Sequence, residues 1–282
     1  MPDFSEQDLD HSHFTRVSLR QARFEQARLN GATFHDVDLT DARFRAAYLD
    51  RVRMTGVEVP DLEIYGELGR VVVNGVDVVP LVEAELDRRM PERALMRPVD
   101  PQGFSLAWDT VERLWADTVE RARSFPEPDL QRSVDGEWSF VQTLRHLGFA
   151  TACWVGGMAL QDPDPWHPLD LPWDEAPGWD GVPWDREARP SLEEVLAVRR
   201  DRQALVRRVV DGLTPARLAE TLTSSTPVDP GGGSGVTVAQ CLRVVLNEEW
   251  EHRLYAERDL AALTSTTSAT SAPGLANRTK EK

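Results

Sequence analysis

Cysteine is scarce in this chain: Cys153 and Cys241 are the only two among 282 residues. Both lie inside helical apolar patterns without a spaced framework, so a disulfide scaffold is excluded and a reduced, cytoplasmic setting with buried thiols is expected. Long hydrophobic runs are missing too. No stretch approaches the roughly 18 apolar residues of a membrane span, and the N-terminus lacks a basic-then-apolar signal. Positive charge is short, with 32 Lys and Arg against 47 Asp and Glu and a net charge of −15. That balance repels a phosphate backbone and, with no Lys or Arg run to offset it, counts against direct nucleic-acid binding. The partners to expect are a small molecule or another protein.

What the chain does have begins at once. Every fifth residue is large and apolar: Phe4, Leu9, Phe14, Leu19, Phe24, Leu29, Phe34, Leu39, Phe44, Leu49, Met54, Val59 and Ile64. Two places before most of these stands a small or branched residue, from Val17, Ala22 and Ala27 to Val52 and Val57. A period of five fits neither helix nor ladder strand, so the chain must turn a corner once per repeat. The pattern resembles the pentapeptide-repeat family. That resemblance implies a right-handed quadrilateral β-helix over residues 1–68, with the large and small residues inward and thirteen units making about three coils. Its regular features face its own neighbours, which suits a structural cap or a docking surface for a protein partner. Some members of that family engage gyrase through a long acidic rod. Here Asp8, Asp10, Glu25, Asp36 and Asp38 alternate with Arg16, Arg20, Arg23, Arg28, Arg43 and Arg45, and three coils are short for a rod. His11, His13 and His35 fall between the inward positions and should be exposed.

Residues 69–102 read as a hairpin cap and linker. Val71–Val73 and Val76–Val79 flank Asn74-Gly75, a strong two-residue hairpin signal, and Pro80 opens a short helix over 80–93. From Ser105 the period is helical. Four helices are expected over 105–124, 139–161, 191–211 and 237–263, three of them opened by capping boxes: Ser139 with Gln142, Ser191 with Glu194, and Thr237 with Gln240. They make a four-helix bundle over 103–263, followed by a tail, 264–282, whose composition cannot build a core. The fold class is therefore multidomain, a β-helix joined to an α-helical bundle. Between the second and third helices, residues 162–190 carry four of the nine tryptophans. So long a connection is either a strap over the bundle or a lid over a pocket, with His167 as a lid histidine.

Residues 247–260, NEEWEHRLYAERDL, raise the chemical question, because an ionised carboxylate is costly to bury without a partner or a cation. Glu248 and His252 are four apart and share a helix face. His146 lies near the buried stripe of the second helix. The three make a two-histidine, one-carboxylate set suited to Zn²⁺, and Ni²⁺ or Fe²⁺ would accept the same donors. A core histidine bonded to a glutamate is the bland alternative. Glu249 competes for the ligand position, Glu251 should face water, and Glu257 and Arg258 should make surface salt links. Trp154, Trp250 and Tyr255 are candidate pocket walls.

EWSFVQTLRHL, WHPLDLP and VLNEEWEHRLYAERDL together resemble the DinB-like four-helix superfamily, which includes YfiT-type proteins and mycothiol- or bacillithiol-dependent S-transferases. The resemblance covers roughly residues 103–263. It implies a divalent metal held by one histidine of the second helix and a His-x-x-x-His pair of the last, matched here by His146 and His252. The middle ligand is Glu248, a departure that resembles the mycothiol-dependent maleylpyruvate isomerase branch. The implied activity is metal-dependent transfer of a low-molecular-weight thiol, or a related hydrolysis. The alternative is a non-enzymatic stress-linked or scaffold protein, its metal structural or absent.

Overall fold

The computed structural model describes residues 4, 6–44, 47–174, 176–229, 232–233 and 235–270, with side chains to residue 264. The chain divides into two compact units, Met1–Tyr65 and Gly66–Lys282.

In the first unit the expected corners are present. His11, Arg16, Gln21, Gln26, Gly31, Asp36 and Asp41 all have positive φ, between 51° and 74°. Each stands two residues after a large apolar residue. Alternate corners close as tight turns, in which Ser12, Ala22, Ala32 and Ala42 donate N–H to Leu9, Leu19, Leu29 and Leu39 at 3.0–3.1 Å. The packed interior is not there. Among the described residues this unit has no strand, and the periodic side chains are exposed, Phe14 by 59% and Phe24 by 63%. This corrects the expectation of inward-facing large and small residues. A solenoid acquires a core only where one coil ladders onto the next, and the backbone bonds described here join residues three apart. His11, His13 and His35 are exposed, as expected.

The second unit opens with the hairpin. Strands β1 (Val72–Val73) and β2 (Val76–Asp77) pair antiparallel, and Asn74 and Gly75 take φ of 49° and 87°, the left-handed pair a two-residue turn requires. Helix α1 (Val79–Arg89) follows, then a 3₁₀ turn, Pro91–Met96. Helix α2 runs Pro101–Ala122, four residues earlier at its start than expected, because Asp100 caps it, its side chain accepting from Gly103 N–H at 2.7 Å. After α3 (Glu127–Leu130), α4 is Phe140–Thr151, α5 is Leu192–Asp211, α6 is Pro215–Ala219 and α7 is Val238–Thr270. Strands β3 (Thr221–Leu222) and β4 (Val236–Thr237) pair antiparallel just before α7. All three capping boxes form. Helix α7 passes residue 263, where disorder was expected to begin, since adding a residue to a formed helix costs little; residues 271–282 of the expected tail lie outside the described residues.

Helices α2, α4, α5 and α7 enclose one core, with Phe104, Trp108, Trp115, Leu144, Leu147, Leu242 and Leu260 almost wholly buried. The second long helix is not α-helical throughout: Ala152–Ala159 continue α4 as a π-helix. Glycines there admit close neighbours, for a Cβ on Gly156 would lie 2.5 Å from Pro165 Cβ and one on Gly157 2.9 Å from Thr226 Cγ2.

The tryptophan-rich connection is packed down. Trp166 stacks on Phe149 of α4 at 5.5 Å, Trp173 meets Phe149 edge-on at 6.2 Å, and Trp173 meets Trp179 at 5.6 Å. Buried Arg145 of α4 fastens the strap at both ends, donating to the carbonyls of Leu169 at 2.8 Å and Ala188 at 3.2 Å. Among the described residues no helix is long and apolar enough to cross a membrane.

Candidate metal centre

Glu248 and His252 lie one turn apart on α7, and the Nε2 of His252 is 3.1 Å from Oε2 of Glu248. Across the bundle, Nε2 of His146 on α4 is 3.5 Å from the same oxygen. The three ligand atoms lie within 4.8 Å of one another, and the imidazole centroids are 4.9 Å apart. Donors bound 2.0–2.2 Å from a tetrahedral ion stand about 3.4 Å apart, so the two contacts to Glu248 have the right spacing.

The decisive contact is on the far side of His146, where Nδ1 lies 3.0 Å from the carbonyl oxygen of Leu171 in the strap. A carbonyl cannot donate, so Nδ1 carries the proton. In the neutral ring Nε2 is then bare, and its lone pair faces a carboxylate. Two acceptors confront each other unless a proton or a metal ion lies between them. At 7% exposure His146 cannot turn to water instead. The donor set therefore fits a divalent cation, with Leu171 supplying the outer hydrogen bond that metal-binding histidines characteristically make.

Glu248 is suited to remain an anion. Burial alone would push its carboxyl up, but hydrogen bonds from His146 and His252 outweigh that and hold it down at about 2. Trp138, directly before the Ser139 cap, covers the site: its ring is 4.4 Å from His146 and stacks at 5.8 Å on His252. Its Nε1 donates to Asp174 of the strap at 3.1 Å.

A family model with the description DinB superfamily matches residues 110–256, which span α2 to α7 and all three candidate ligands. The chain belongs to the DinB superfamily. A second family model, pentapeptide repeats, matches nine copies over residues 3–43. Neither the curated proteins nor the solved structures compared with the chain include a significant match.

Within this DinB bundle the remaining candidates separate. Glu249, the competing ligand, is 2% exposed and turned away: Arg199 of α5 takes both its carboxylate oxygens, at 3.2 and 2.6 Å. Trp115 donates its Nε1 to the Glu249 carbonyl at 3.2 Å and lies under the Arg199 guanidinium at 4.5 Å. Trp250 belongs to the core rather than to a pocket wall, because its position two residues before His252 turns it to the opposite face. Trp154 is half-buried between the two apolar clusters. Tyr255 borders the site, edge-on to His252 at 6.1 Å. His167 closes its own turn, Nδ1 accepting from Leu169 N–H at 3.1 Å. Glu251 is half-buried instead of solvated, and desolvation pushes its carboxyl up. Glu257 reaches α2, accepting from Thr118 at 2.6 Å and Arg121 at 2.5 Å, so its links are interhelical. Arg258 pairs with its neighbour Asp259 at 2.7 Å. Sequence reasoning passed over Trp138, Arg145, Leu171 and Arg199; the capped start beside Trp138 was the one local signal for any of them.

Proposed function

We propose that the bundle holds a divalent metal on His146, Glu248 and His252 and uses it to transfer a low-molecular-weight thiol, or in a related hydrolysis. The observation that carries this is the approach of His146 Nε2 to within 3.5 Å of the Glu248 carboxylate while its Nδ1 is bonded to the Leu171 carbonyl, an arrangement that a divalent cation satisfies. Membership of the DinB superfamily supports it. Zinc suits these donors best, and nickel or iron would also be accepted. When bound, such an ion lowers the pKa of a thiol or water in its open position and polarises a carbonyl.

The chain's own residues do the rest. One turn of α7 fixes the carboxylate and the His252 imidazole relative to each other, and Leu171 keeps the His146 proton away from the ion. Trp138 limits water over the imidazoles, while Tyr255 offers a half-open apolar edge on which a substrate can lie. No protein thiol serves as nucleophile, since burial pushes Cys153 up to about 12 and Cys241 up to about 11. Two free, buried cysteines also support a reducing, cytoplasmic setting.

Elemental analysis of purified protein, followed by thiol-transfer assays on wild type and His146→Ala, tests the reading. Near-stoichiometric metal and loss of both metal and activity in the variant are expected. Activity retained by the variant sinks the catalytic role; wild type that binds no divalent metal sinks the whole reading.

A second reading concerns the repeat. Nine family-matched copies mark it as a pentapeptide repeat, and the exposure of Phe14 and Phe24 supports a surface on which a protein partner docks. Comparing partner binding by the full chain with that of a Phe14→Ser, Phe24→Ser variant tests this; unchanged binding would remove it.

A further inference from the structure

We infer that Arg202 and Asp170 are positioning residues for the ligand His146, acting through the carbonyl of Leu171; this rests on the metal-binding reading above. The contacts form a continuous chain. Arg202 of α5 donates through Nη2 to Oδ2 of Asp170 at 2.8 Å. The same oxygen accepts His167 N–H at 2.8 Å, and Asp170 N–H returns to the His167 carbonyl at 2.8 Å, so the strap is locked into a turn that ends at residue 170. Leu171 comes next. Its N–H donates to the Arg145 carbonyl at 3.3 Å, and the Arg145 side chain holds the Leu169 carbonyl at 2.8 Å. Pro172 then confines the ψ of Leu171 to extended values, which fixes the direction of the Leu171 carbonyl. That carbonyl receives the Nδ1 proton of His146.

The cost of this arrangement marks it as more than packing. Asp170 is 1% exposed, and its Oδ1 is buried with no hydrogen-bond partner. It presses against bare backbone of α4, two residues past the ligand, where a Cβ on Gly148 would lie 2.7 Å from Oδ1. A buried ion pair is a weak source of stability and apolar residues of similar volume often serve better, so what the pair contributes here is geometry. With Arg202 in place, Asp170 seats the turn, the carbonyl points at Nδ1, and His146 keeps the single tautomer whose Nε2 accepts a metal. Without it the strap relaxes and the ring samples the Nε2–H form, which cannot ligate.

The test uses full-length protein carrying ¹⁵N-histidine, with Arg202→Met and Asp170→Asn as variants. In metal-free protein at neutral pH, imidazole ¹⁵N shifts report the tautomer directly, and Zn²⁺ titration reports affinity. Wild type should show a proton on Nδ1 of His146 throughout, with no form in which Nδ1 is bare. Both variants should show a mixture, with Zn²⁺ affinity lowered roughly 10-fold to 100-fold. If Arg202→Met does not fold, the near-isosteric Asp170→Asn carries the test. A folded variant with lower thermal stability, but with wild-type tautomer and Zn²⁺ affinity, would show a merely structural pair and overturn the inference. The tautomer is read without metal, so wild type that shows Nδ1–H but takes up no Zn²⁺ would count against the metal reading and not against the clasp.

Discussion

Arg199 grips Glu249 through two hydrogen bonds of 3.2 and 2.6 Å inside the bundle, while the adjacent Glu248 turns about 100° round α7 to face two imidazoles. Neighbouring glutamates thus answer the cost of burial in two ways, one with a guanidinium and one with a pair of imidazoles.

Removing one member of the Arg199–Glu249 pair strands the other. Glu249→Ala should lower unfolding free energy by about 3–5 kcal/mol in a urea titration, with metal stoichiometry unchanged in the protein that remains folded. Loss of metal with full stability would reverse the two glutamates' assignments.

Metal should stabilise the fold through its ligands. Zinc at 100 times its dissociation constant is expected to add about 2.7 kcal/mol, read as a raised melting temperature. Glu248→Gln and His252→Ala should each abolish that increment, whereas Glu249→Ala should keep it.

In the metal-free protein Glu248 sets an acid limit. Burial opposes its ionisation, but hydrogen bonds from His146 and His252 hold this carboxylate at about 2 against an ordinary 4.5. A carboxyl lowered on folding contributes stability above its unfolded value and loses it as the pH falls toward the folded one. Glu248→Gln should therefore begin acid unfolding, followed by circular dichroism, at a higher pH than wild type; coincident curves would contradict the contact.

The thiols give an independent check. With Cys153 pushed up to about 12 and Cys241 up to about 11 by burial, neither should react with iodoacetamide at mildly alkaline pH in the native state. Both should react in denaturant. Fast native labelling of Cys153 would reopen a protein nucleophile.

Gly148→Ala places a methyl 2.7 Å from Asp170 Oδ1. Overpacking of this kind costs roughly 1–3 kcal/mol. The expected outcome is a lowered melting temperature together with hydrogen exchange that rises chiefly in residues 166–172.

The sequence made the bundle legible because its helix starts are local events: a serine or threonine and a glutamine or glutamate three residues on suffice to place Ser139, Ser191 and Thr237. Glu248 and His252 were legible for the same reason, being four apart. The four-residue spacing favoured Glu248 over Glu249, but what turns Glu249 away from the imidazoles is Arg199, fifty residues off and invisible to local pattern. Leu171 was hidden more deeply, since a backbone oxygen leaves no trace in residue type. In the repeat, the five-residue period matches the corners from His11 to Asp41, but burial depends on what one coil finds beside it, and period carries no information on that.

The acceptor that steadies His146 belongs to the main chain, so composition at position 171 matters less than count. Every residue offers a peptide oxygen there, but one residue more or fewer between Trp166 and Leu171 would turn a different peptide group toward the ring. An amide hydrogen arriving in place of oxygen would invert the imidazole's proton and blunt its lone pair. In this protein the length of the strap is itself a chemical instruction.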